Sequence, residues 1–234
     1  MKVRFDDNKS RISLSRPSAF ALLGSVLLAA VAAHGADPGT VVFSLDFPNS
    51  DPEHYSITVQ SDGHAKYESS GKVSKDSEDD QSYQSEFTLS DVTRARIFEL
   101  AAQSHYFSGK VDSGNKKLAF TGAKKLVYKD GQQHDTSAEY NYSSQPSVQQ
   151  LTTLFQSMAA TLEFGRRLTF HHRYQKLALA DELKRMESEA HAGELAELQS
   201  VKPILQQIYD DQSVMNVVRA HAKMIMDMGD SASH

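Results

Sequence analysis

From Val41 to Tyr142 apolar side chains recur in runs at every second position, the period of strands with one face in a core. Val41, Phe43, Leu45 and Phe47 alternate with Val42, Ser44 and Asp46, and Tyr55, Ile57 and Val59 alternate with Ser56, Thr58 and Gln60. Asp62-Gly63 then offers a tight turn, after which Ala65 and Tyr67 keep to the same face, so a hairpin is expected here. The polar, acidic stretch from Ser69 to Ser82 reads as a surface loop, and a further strand is expected over Tyr83 to Leu89. In a second round, Leu118 and Phe120 predict a short strand closed by Gly122. Leu126 and Tyr128 lead into Asp130-Gly131, and Ala138, Tyr140 and Tyr142 resume the alternation on a return strand.

Helical signals separate and follow these strands. Ser90 is placed to cap a helix running to about Gln103, with Asp91 in the first turn where the helix dipole favours an anion. Its apolar residues (Val92, Ala95, Ile97, Phe98, Leu100 and Ala101) cover more than one stripe and predict deep burial. Pro146 opens a second helix carrying Val148, Leu151, Phe155, Met158 and Leu162 at helical spacing. The succession hairpin, helix, hairpin, helix suggests two similar ββα units, over residues 54–104 and 125–164.

After Gly165 the pattern is helical throughout: Leu177, Leu179, Leu183 and Met186 mark one segment, and Leu195, Leu198, Val201, Leu205 and Ile208 another, with Pro203 kinking it or sitting in its first turn. Ser213 is a candidate cap for a last helix with Val214, Val217, Val218, Ala222 and Ile225 inward. The fold class expected is α+β, an antiparallel sheet of hairpins with packed helices, followed by an all-helical C-terminal extension. The expected divisions are a signal peptide over 1–35, an α+β domain over 36–165, a helical extension over 166–228 and a disordered tail over 229–234.

The first 36 residues bear on destination. Lys2, Arg4, Lys9, Arg11 and Arg16 precede an apolar run from Ala19 to Ala33, which leads into the small-residue exit Ala33-His34-Gly35-Ala36. This is the grammar of an export signal, and the run is shorter than the about 20 apolar residues of a spanning helix. Periplasmic or secreted localisation after cleavage is therefore expected, with an inner-membrane anchor through an uncleaved leader as the alternative. The sequence contains no cysteine. A cysteine-based lipid anchor is thereby excluded, and an exported domain of this kind must rely on its core rather than on disulfides. A net charge of -5 argues against nucleic acid as a partner and against broad attraction to anionic membranes.

The densest chemical cluster is Phe164-Gly165-Arg166-Arg167-Leu168-Thr169-Phe170-His171-His172-Arg173-Tyr174. Arg166, Arg167 and Arg173 could hold a phosphate or carboxylate through bidentate contacts, or could pair with Glu182, Glu187 or Glu189 where the α+β part joins the helical part. His171 and His172 lie about 100° apart on a helix and have no third ligand at a familiar spacing, so no metal is expected. Asp76, Glu78 and Asp80 alternate like calcium ligands, but Gln81 replaces the required glycine and Phe87 the closing glutamate, which leaves a solvated acidic loop. Tyr128, Tyr140 and Tyr142 are candidate binding anchors if they line an exposed sheet face. No nucleophile elbow or glycine-rich phosphate loop is present, and no cofactor is expected.

The run Ile57-Thr58-Val59-Gln60-Ser61-Asp62-Gly63 through Tyr67, then Tyr106-Phe107 after the helix, then Lys125-Leu126-Val127-Tyr128 up to the helix after Pro146, resembles small exported bacterial α+β domains of unknown function. The resemblance covers about residues 41–165 and implies an α+β domain and exported life, with no activity attached. Leu205 to Ala222 also resembles one HEAT-type helical repeat, and one copy cannot build a solenoid. The reading favoured is a non-enzymatic binding or interaction domain whose partner is a protein or another envelope component, with membrane contact only through an uncleaved leader. The alternatives are an envelope hydrolase with a site near Arg166, Arg167, His171 and His172, and a small-ligand carrier.

Overall fold

The computed structural model describes residues 39–71, 81–131 and 135–232. The basic and apolar leader and the acidic segment with Asp76, Glu78 and Asp80 lie outside the described residues.

Six strands form one antiparallel sheet: β1 (Thr40–Asp46), β2 (His54–Gln60), β3 (His64–Gly71), β4 (Gln81–Thr88), β5 (Ala123–Lys129) and β6 (Asp135–Tyr140), in the order β4-β3-β2-β1-β5-β6. The strict alternation seen in the sequence is the cause of its two-faced character. Val41, Phe43, Ile57, Val59, Tyr67 and Leu126 are fully buried on one face. The other face presents Ser44, Ser56, Thr58, Lys66 and Glu68, and the directly opposed pair Lys125 and Glu139 closes an ion pair across β5 and β6.

Helices α1 (Asp91–Gln103) and α2 (Pro146–Tyr174) supply Ile97, Leu100, Val148, Leu151 and Phe155 to the core of the buried face. Phe43 and Phe155 stack there with centroids 5.2 Å apart. Ser90 caps α1 as the sequence suggested, accepting from the Thr93 amide at 3.2 Å. The helix is buried on one face, through Ile97, Leu100 and Ala101, and Val92 stands 70% exposed. The hairpin–helix succession occurs twice, as β3–β4–α1 and β5–β6–α2, at opposite ends of the sheet with β2 and β1 between them. Residues 54–104 thus contain three strands, against two in 125–164.

Leu118 and Phe120 do not form the expected strand. Residues 108–122 are a loop in which the Asn141 side chain replaces a ladder, accepting from the Thr121 amide at 2.9 Å and donating to the Ala119 carbonyl at 3.0 Å.

α2 passes through Gly165 without interruption and leaves the first core for a second. There Phe164 and Leu168 meet Leu183 and Met186 of α3 (Leu179–His191), Leu205 and Ile208 of α4 (Lys202–Asp210), and Val218, Ala222 and Ile225 of α5 (Asn216–Ala232). Pro203 sits in the first turn of α4. Ser213 lies outside α5, Val217 is exposed, and α5 continues through Gly229 to Ala232, past the point where the sequence suggested a tail. The two cores draw their buried side chains from between Val41 and Met226, within the compact unit Gly35–His234.

Candidate functional site

The basic and aromatic cluster of α2 fans out instead of converging, because consecutive helical residues point about 100° apart. Arg166 turns to the sheet. It is buried, donates from Nη2 to the Gly71 carbonyl at 2.6 Å and from Nη1 to Ser69 Oγ at 3.4 Å, and lies 3.6 Å from the Glu163 carboxylate. The Tyr67 hydroxyl and Ser69 hydroxyl donate to Glu163 at 2.8 and 2.7 Å, so the buried anion has partners on two elements. Burial and the neighbouring Glu163 charge push the Tyr67 phenol far above its ordinary range.

Arg167 turns to α3, donating from Nε to Glu182 at 2.6 Å, while Arg185 donates to both oxygens of the same carboxylate at 2.8 and 3.0 Å. Glu182 is one of the three partners, with Glu187 and Glu189, that the sequence offered for this cluster. Both guanidinium carbons sit over the Phe164 ring, 4.8 and 5.0 Å from its centroid.

The two histidines part company. His172 Nε2 lies 2.9 Å from Asp211, which also accepts from Lys176 at 2.6 Å. Hydrogen bonds from Lys176, Ser213 and His172 hold Asp211 well below the usual carboxylate range. His171 is 9% exposed, and its Nδ1 is buried with no hydrogen-bond partner among the described residues. Desolvation depresses its pKa, with the nearby Glu182 carboxylate partly opposing that shift. Arg173 is exposed and covers the ring of Tyr174.

The tyrosines do not form an exposed aromatic face. Tyr128 and Tyr140 are on the buried side of the sheet, and the Tyr140 hydroxyl is 2.6 Å from Thr152 Oγ1. Burial pushes the Tyr140 phenol up to about 12. Tyr142 is exposed, beyond the end of β6, and its hydroxyl accepts from Gln149 at 2.7 Å.

What the fan of side chains frames is an open groove of about 620 Å³ between α2, α3 and the β1–β2 connection. Its α2 wall runs from Gln156 through Ala160, Glu163 and Arg167 to His171, a helical stripe about 22 Å long. Asp51 and Pro52 border it on one side, and Glu182, Arg185 and Glu189 on the other. Asp51, Pro52, Gln156 and Ala160 carried no signal in the sequence, since a groove is made by elements that meet only in three dimensions. Among the described residues no group of three or more histidine, aspartate or glutamate side chains is placed to hold a metal ion. Compared with known proteins, the chain matches no family model and no curated sequence.

Proposed function

We propose that the chain is an exported, non-enzymatic binding domain that receives an extended peptide segment of a protein partner in the groove along α2. The observation that carries this reading is the groove's form: long, open and walled by one helical stripe. At about 3.3 Å per residue, a 22 Å floor matches about six or seven residues of extended chain. Ala159 and Ala160 leave room beside α2, and the rim offers charges of both signs in Asp51, Arg185 and Glu189. The groove's charged groups hold one another: Glu182 is gripped by Arg167 and Arg185, and Glu163 by Tyr67, Ser69 and Arg166. A structural pairing of that kind suits recognition better than proton transfer. The leader supports export.

The test is a fluorescence-anisotropy screen of the chain against a library of extended decapeptides. Peptides that bind are expected to lose binding with Ala160→Trp, which fills the groove, and to keep it with Tyr142→Ala. Binding unaffected by Ala160→Trp would refute the assignment.

A further inference from the structure

The segment expected to be a strand has a different character. Every residue from 114 to 121 is exposed, including Leu118 at 40% and Phe120 at 57%, although the segment is firmly tied at its base. Lys124 is 5% exposed, and its ammonium donates to the Thr121 carbonyl at 3.1 Å, the Thr121 hydroxyl at 2.9 Å, the Gly122 carbonyl at 3.3 Å and the Asn141 carbonyl at 3.0 Å. Phe47 meets Phe120 edge-on at 5.9 Å, bracing one side of that ring. Asp112, at the start of the loop, is occupied by the backbone amides of Gly114 and Asn141 at 2.5 and 2.9 Å. An ordered loop therefore displays two apolar side chains that its own fold leaves in water.

Charge defines what such a tip suits. From Ser113 to Lys129 the sequence holds no acidic residue, in a protein whose net charge is -5. Lys116 and Lys117 are exposed and have no ion-pair partner among the described residues, and Lys110 lies against Gly114 of the same loop. Apolar side chains with exposed lysines in the same loop complement a surface that is anionic outside and apolar just beneath. A protein partner needs several hundred Å² of buried surface on each side, more than two side chains on one loop provide, whereas a bilayer interface accepts shallow insertion.

We propose that the 108–122 loop docks the domain on an anionic lipid surface, with Leu118 and Phe120 entering the interface and Lys110, Lys116 and Lys117 facing the headgroups. This assignment stands apart from the groove and does not rest on it.

The test uses the unit Gly35–His234, since the apolar run of the leader would enter membranes by itself. Its co-sedimentation is measured with vesicles of phosphatidylcholine alone and with half phosphatidylglycerol. Binding is expected only with the anionic vesicles. It should fall when salt rises from about 0.1 M to about 0.5 M, which cuts the Debye length from about 10 Å to about 4 Å. Lys116→Gln with Lys117→Gln should weaken it by roughly fivefold per lysine, and Leu118→Ser with Phe120→Ser by about tenfold or more. Val92→Ser, at another exposed apolar position, should change nothing. Because the chain has no tryptophan, Phe120→Trp gives a single reporter whose emission should move to shorter wavelength on anionic vesicles. Equal binding to neutral vesicles, or unchanged binding by both double variants, overturns the proposal. So does a wild-type domain that ignores vesicles but needs Leu118 and Phe120 to bind a protein.

Discussion

At the scale of single residues, neighbours in the sequence serve different parts of the molecule. Arg166 and Arg167 look like one cationic site on paper, yet one secures the sheet through Gly71 and Ser69 and the other secures α3 through Glu182. The cluster was legible as a concentration of charge. A pairing with the next helical segment was legible too, narrowed only to Glu182, Glu187 or Glu189. The partners of Arg166 were not, being some 95 residues away on a strand whose approach no local pattern encodes. His171 yields a prediction in pH. Its folded-state pKa lies below its ordinary 6.5 because burial disfavours the imidazolium, so the unfolded chain binds the proton more readily. The stability this represents is fully present above pH 6.5 and is lost as pH falls from there through the folded-state pKa. Urea unfolding of wild type and His171→Leu between pH 7 and 5 should show a steeper loss for wild type. Parallel profiles would show that His171 does not titrate with unfolding.

At the scale of elements, α2 illustrates what a periodic sequence does and does not convey. The spacing Val148, Leu151, Phe155, Met158, Leu162 announces a buried stripe, and its N-terminal half is where that stripe indicates. The unbroken continuation through Gly165 is hidden, because the glycine and the charged run after it read as a join between the α+β part and the helical part. The glycine is there for proximity: a Cβ at position 165 would fall 2.5 Å from Val201 Cγ1. Gly165→Ala should therefore destabilise the protein by about 1–3 kcal/mol through overpacking, against the gain of up to about 1 kcal/mol that alanine brings to an unconstrained helix. Gly165→Ala combined with Val201→Ala should recover part of the loss. If the single variant raises the denaturation midpoint, the contact is not binding on the helix. The loop of Leu118 and Phe120 failed as a strand for a different reason. Leu118 and Phe120 both stay exposed and so bury no face, and the Asn141 side chain takes the Thr121 amide and the Ala119 carbonyl that a ladder would have used.

At the scale of the whole molecule, the two cores are joined by more than α2. Glu197, just before α4, accepts from the Ser90 amide at 2.9 Å and the Ser90 hydroxyl at 2.7 Å, so the start of α1 is gripped from the helical layer. Nothing in the sequence links positions 90 and 197. With a shared helix and this second tie, the sheet and the helical layer should unfold together. Phe155→Ala, in the first core only, should cost about 3–5 kcal/mol and lower amide-exchange protection in α4 and α5 as well as in β1 and β2. Undiminished protection in α4 and α5 would make the layers separate folding units. The strand order has a consequence in time as well. β1 is the earliest strand among the described residues, yet it sits inside the sheet, paired with β5 from Thr40 against Lys129 to Asp46 against Ala123. In a chain that emerges from its N-terminus the meander β1–β4 comes first, and one whole edge of β1 then waits in the open until residues 123–129 arrive. During that interval the nascent chain presents the kind of unpaired edge that invites capture by a chaperone or by another copy of itself.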